Sequence, residues 1–106
     1  MNRPMIAPII SPREIHKNAV DHGWWIEPRG IPELVALIHS EASEVLEGYR
    51  NRIPEGQHGC ISEELADIII RVFDMAEALK IDIIGAVERK HKINIARPYR
   101  HGNKVC

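Results

Sequence analysis

The sequence is poor in the features that mark several common classes of protein. It has only two cysteines, Cys60 and Cys106, far apart and in no ligand spacing, which excludes a disulfide framework and a thiolate metal site and reads as a reducing, cytoplasmic setting. No apolar run approaches the roughly 20 residues that a bilayer-spanning helix needs, and the first ten residues lack the apolar core and cleavage pattern of a signal peptide. Neither sign of charge dominates: 14 Lys plus Arg stand against 15 Asp plus Glu, a formal charge of −1. No global basic field draws a nucleic-acid backbone, so neither nucleic acid nor membrane is an expected partner. The six histidines form no His-x-x-x-His pair and no His/Cys spacing, which argues against zinc. There is no internal repeat and no convincing β element.

What is present is helical. With 44% hydrophobic and 27% charged residues, the 106 positions read as one globular domain, residues 1–106, near the lower size limit for independent folding. Residues 1–10 are proline-punctuated and read as an extended arm. Ser11-Pro12-Arg13-Glu14 gives a cap, a first-turn proline and a capping-box glutamate, so a helix begins there and stops at Gly23. A second helix is expected from Pro32 to about Asn51, with Leu34, Leu37, Ile38, Val45 and Leu46 on its buried face. After the Pro54–Gly59 break, Ser62 is the expected cap of a third helix carrying Leu65, Ile68, Ile69, Val72, Phe73, Ala76 and Leu79. The run Ile68 to Ile70 has strand character, which the helical spacing outweighs. Asp82 caps a last helix that Pro98 ends, leaving 98–106 as a polar tail. The fold class is all-α: a bundle of about four helices whose uncovered apolar faces call for completion by oligomerisation.

Two carboxylate pairs carry the chemistry. Glu41 and Glu44 lie three residues apart on the second helix, and stepping back from Glu41 by three, four and seven reaches Ile38, Leu37 and Leu34. The acids therefore continue an apolar stripe, where an uncompensated carboxylate is costly. Glu64 and Asp67 repeat the spacing on the next helix, which a short linker makes an antiparallel neighbour. Four convergent carboxylates suit hard divalent cations, Mg²⁺ or Mn²⁺, and two such ions suit phosphoryl chemistry. A lone i,i+3 pair is usually a solvated helix face; two pairs on consecutive helices weigh against that. Glu47 and Glu63 extend the rows as surface charge or auxiliary ligands. On the last helix Lys90, Asn94 and Arg97 share a face fit to clamp phosphate and sugar, or to complement the helix dipole. Trp24 and Trp25 wedge the first helix against the core, or line an aromatic wall for a base. His39, just before the acidic row, either touches a substrate or is a partly buried polar residue.

These residues resemble the MazG-like nucleotide pyrophosphohydrolases of the all-α NTP pyrophosphatase superfamily. Glu41-Ala42-Ser43-Glu44 matches the family's Glu-x-x-Glu, and Glu64-Leu65-Ala66-Asp67 its Glu-x-x-Asp. Lys90-x-x-x-Asn94-x-x-Arg97-Pro98, with Tyr99-Arg100-His101-Gly102 after it, is similar to the C-terminal pattern of short, single-domain, phage-type members. Gly23-Trp24-Trp25 and Leu37-Ile38-His39-Ser40-Glu41 add to a likeness over residues 14–104. The resemblance implies hydrolysis of a (deoxy)nucleoside triphosphate at the α–β anhydride, giving monophosphate and pyrophosphate in control or editing of a nucleotide pool. It implies two or three Mg²⁺ or Mn²⁺ ions per site on Glu41, Glu44, Glu64 and Asp67, which are the expected catalytic residues. It also implies nucleotide contacts by Lys90, Asn94 and Arg97, with Trp25 and His39 as further candidates. A homodimer or homotetramer in the cytoplasm (the host's, for a phage protein) is expected, and a purine such as dGTP is the guess offered for substrate. The competing reading is a non-catalytic helical interaction module whose acidic rows are solvated.

Overall fold

The computed structural model describes residues 10–105; the expected N-terminal arm, up to residue 9, and Cys106 lie outside them. Helix α1 spans Pro12–Asp21, α2 Ile31–Arg50, α3 Ile61–Ala78, α4 Ile83–Ala96, and α5 is the short turn Arg100–Asn103. No strand occurs among the described residues, so the all-α expectation holds and the isoleucine run is helical.

The helix ends follow from local chemistry. Ser11 Oγ accepts a hydrogen bond from the Glu14 amide at 3.2 Å, and Asp82 accepts from the Gly85 amide at 3.0 Å, both as side-chain caps. Each of the first three helices closes with the same paired bonds. The amide of Trp24 returns to the Ala19 carbonyl, that of Ile53 to Gly48 and that of Ile81 to Ala76. The preceding residue in each case is left-handed: Gly23 at φ +83°, Arg52 at +51° and Lys80 at +58°. This is the Schellman closure, in which glycine is usual and a side chain is tolerated at some cost. Two local expectations change. Cys60, not Ser62, is the N-cap of α3; Ser62 lies inside the first turn, its hydroxyl turned to Glu55. The tail is not wholly irregular, since His101 and Gly102 make a left-handed turn within α5.

Helices α2 and α3 pack as an antiparallel hairpin, and α1 lies across α3. On α2 the buried residues are Leu34, Glu41 and Gly48, each seven from the last, so the apolar stripe does run through Glu41. On α3 they are Glu64, Asp74 and Ala76. The hydrophobic core among the described residues is small: only Leu34, Cys60 and Ala76 are buried apolar residues. Leu46, Leu65, Ile69 and Leu79, expected on core faces, are exposed, because α1 is the one other helix that packs extensively on the hairpin. Helix α4 touches α3 alone to any extent, and every residue from Val87 to Val105 is exposed.

The hairpin closes tightly at its turn. A Cβ added to Gly48 would meet the Gly59 carbonyl oxygen at 2.5 Å, a backbone atom that cannot swing away. Alanine normally gains about 1 kcal/mol over glycine inside a helix, but overpacking costs about 1–3 kcal/mol. Gly48→Ala is therefore expected to destabilise the fold by up to about 2 kcal/mol in urea denaturation, opposite in sign to helix propensity.

Candidate metal centre and adjoining cleft

The close approach at Gly48 levels the acids. Glu44 and Glu64 each lie four residues from the Gly48/Cys60 contact, and Glu41 and Asp67 each lie seven. At about 1.5 Å rise per residue the two helices therefore bring the pairs to matching heights. Oxygen atoms of Glu41, Glu44, Glu64 and Asp67 all fall within 4.8 Å of one another. Glu41 and Glu64 are buried, Asp67 is half-buried and Glu44 is exposed. The four expected ligands thus form one cluster, open to solvent on the Glu44 side.

Its electrostatics are unfavourable as they stand. Glu64 is 6% exposed, and its Oε2 is buried without a hydrogen-bond partner, a costly condition for a carboxylate oxygen. Burial raises the Glu64 carboxyl from its ordinary 4.5 to about 7, and neighbouring Glu44, then Asp67 and Glu41, push it the same way. An orphaned buried oxygen facing three other carboxylates fits a divalent cation. The all-oxygen donor set suits Mg²⁺ or Mn²⁺ better than zinc.

Three acids of the cluster, Glu41, Glu44 and Asp67, line a cleft of about 600 Å³ between α1 and the hairpin. Asn18, Ala19, Trp24, Arg29, Arg71 and Asp74 line it with them. Asp74 is the best-supplied acid of this lining. It is buried, accepts from Trp25 Nε1 at 3.0 Å, and lies 2.6 Å from His16 Nδ1. An ionised carboxylate only accepts, so the ring N–H donates. The His16 and Trp25 rings meet edge-on at 5.2 Å between centroids, and the Arg29 guanidinium lies 5.7 Å from the Trp25 ring centre. One buried carboxylate thus ties α1 and the tryptophan loop to α3.

The other expected substrate contacts lie elsewhere. Trp25 is held by Asp74 as a structural wedge, and it is the adjacent Trp24 that lines the cleft. His39 is exposed, because two residues before Glu41 turns it some 200° around the helix. Lys90 and Asn94 line a separate shallow pocket on α4, and Arg97 pairs with His101 at 2.8 Å; none of the three lines the cleft. Glu63 is engaged by His58 at 2.6 Å, and exposed Glu47 lies 3.8 Å from Arg50, both as surface charge. Sequence reasoning passed over Arg71, Asp74, His16 and Asn18. A signal was present: Glu64, Asp67, Arg71 and Asp74 follow a three-four-three spacing that marks a polar stripe along α3. No family model matches the chain, and no curated protein or solved structure matches it.

The raised Glu64 carboxyl makes a prediction for the protein in EDTA. Between pH 4.5 and 7 the folded state holds a proton that the unfolded state has released, so stability falls as pH rises through that window. Thermal melts should show this decline, and Glu64→Gln should flatten it and raise the melting temperature at pH 7.5. Saturating Mn²⁺ at pH 7.5 should restore stability in the wild type and much less in Glu64→Gln.

Proposed function

We propose that this chain is a nucleotide pyrophosphohydrolase of the MazG-like kind, acting with Mg²⁺ or Mn²⁺ on the α–β anhydride of a nucleoside triphosphate. The observation that carries the reading is the four-carboxylate cluster with its buried, unpartnered Glu64 oxygen. The cleft adds support, since Trp24 and Asn18 line it together with these acids, an aromatic face and an amide suited to a heterocyclic base. Glu41, Glu44, Glu64 and Asp67 would hold the ions. Such ions, when bound, neutralise the polyphosphate and acidify an attacking water. The chain's own part is to set the four acids at one height, seat the base end against α1, and limit solvent at Glu41 and Glu64. The reaction consumes one water and releases a monophosphate and pyrophosphate, in keeping with a cytoplasmic role in nucleotide-pool control.

A panel of ribo- and deoxynucleoside triphosphates, dGTP included, with Mg²⁺ or Mn²⁺ tests this by ³¹P NMR. Monophosphate plus pyrophosphate from at least one substrate is expected; orthophosphate as first product, or no turnover across the panel, would sink the proposal. Glu41→Gln should lower turnover by more than the about 10–100-fold that loss of a mere outer-shell partner costs, with the fold retained by circular dichroism.

A second copy of the chain completes this reading. Val87 is 58% and Ile69 52% exposed, and with Leu46, Leu65, Ile84 and Ile93 they leave apolar flanks on α2, α3 and α4 that a monomer does not cover. Pairing through these flanks would bury them and give the Lys90/Asn94/Arg97 face a neighbouring chain to act on. Light scattering should return two or four times the 12.1 kDa chain mass. Val87→Glu with Ile69→Glu should shift it toward one; a wild-type monomer at micromolar concentration would exclude self-association.

A further inference from the structure

The cleft needs a cation that can meet a polyphosphate directly, and the expected ones on α4 are not in it. Among its lining residues the cationic side chains are Arg29 and Arg71. Arg29 is already committed: its Nε donates to Glu33 at 3.1 Å, and its guanidinium rests by Trp25. Arg71 is placed differently. It follows Asp67 by one helical turn on α3, so its side chain rises beside the carboxylate cluster. Its Nε donates to Glu41 Oε1 at 3.1 Å, and its side chain remains 34% exposed. Its two terminal nitrogens make no hydrogen bond among the described residues, which leaves the flat fork of the guanidinium presented to the cleft.

We propose that Arg71 is an exchangeable cation of this site, pairing either with Glu41 or with a phosphate of the bound polyphosphate. The inference rests on the metal-dependent reading above. Glu41 is wanted by two cations: Arg71, and the divalent ion that the cluster fits. A guanidinium close to the ligand set repels that ion and occupies one of its oxygens. Once the ion takes Glu41, the same guanidinium needs a new anion, and a phosphate beside the cluster supplies one in the two-pronged geometry that arginine favours. Arg71 thereby couples filling of the ion site to capture of substrate. It opposes the metal alone and supports the metal together with a polyphosphate.

This coupling gives effects of opposite sign, which a purely structural arginine would not. Calorimetric titration with Mn²⁺ alone is expected to show Arg71→Ala binding the ion several-fold more tightly than wild type. Titration of the Mn²⁺-loaded protein with inorganic tripolyphosphate should show binding weakened by about ten- to a hundredfold, the range for a lost charge-assisted hydrogen bond. For any triphosphate turned over, the loss should fall on KM more than on kcat. Arg71→Lys should restore the metal competition but only part of the phosphate affinity. Arg71→Gln keeps part of the aliphatic stem and a polar, uncharged end, and covers the case in which Arg71→Ala does not fold; the same two directions are expected of it. A wild type that takes up Mn²⁺, with variants that leave both affinities unchanged or weaken both, overturns the role of Arg71 alone. A wild type that takes up no Mn²⁺ overturns this inference and the metal-dependent function together.

Discussion

Gly48 sits so near the Gly59 carbonyl that no side chain fits between α2 and α3 at that point, and this contact sets the register of the whole hairpin. Counting outward from Gly48 and from Cys60, next to that carbonyl, places Glu44 opposite Glu64 and Glu41 opposite Asp67. A slide of one helical turn, about 5.4 Å, would separate the pairs and dissolve the cluster. The site is therefore a property of the turn as much as of the acids. A larger residue at Gly48 would act on the chemistry through register before it acted on any ligand.

That register creates an electrostatic debt. Four carboxylates share a space within 4.8 Å, two of them buried, and the raised titration of Glu64 is the measure of it. One cationic side chain relieves it in part, through Arg71 on Glu41. Further along the same stripe of α3, Asp74 is the opposite case: a buried acid whose two neighbours, His16 and Trp25, both bring N–H groups to it. One acid near the α2/α3 crossing is left short of partners, and one under α1 is well supplied. The difference separates a carboxylate that could hold a cation from a carboxylate that ties elements of the fold together.

Much of this arrangement was legible in the residues. The Leu34–Glu41 stripe needs only helical periodicity, and the two i,i+3 acid pairs on consecutive helices with a short linker imply an inward cluster. Caps at Ser11 and Asp82 and the stop at Gly23 are local chemistry and were read directly. What was not legible depends on depth and level. Trp24 and Trp25 are adjacent, and composition cannot say which turns to the cleft; the Asp74 partnership decides it. Leu46, Leu65 and Leu79 fit a buried periodicity, yet one chain lacks the elements to cover them. Lys90 and Asn94 do share a pocket on α4, but Arg97 is the extended cap beyond its end and none of the three lines the cleft, a tertiary matter that spacing does not encode. Arg71 was hidden by its company, one cation amid an apolar helix, although its place between Asp67 and Asp74 marks the same stripe.

The cost of the cluster is itself an argument about use. Replacing Glu64 by an apolar residue would remove a buried, unpartnered oxygen and the repulsion around it, so the sequence forgoes a cheaper alternative at that position. Residues that destabilise a fold and converge on a cleft are the pattern expected where a ligand makes good the deficit. The interaction-module reading gives the acidic rows no such reason, since solvated surface acids have no need to be buried. Exposed Glu47 and half-buried Glu63 show what the other acids of these rows look like: each lies beside a basic or imidazole side chain. Glu41 and Glu64 differ from them in depth, and depth is what a bound cation would reward.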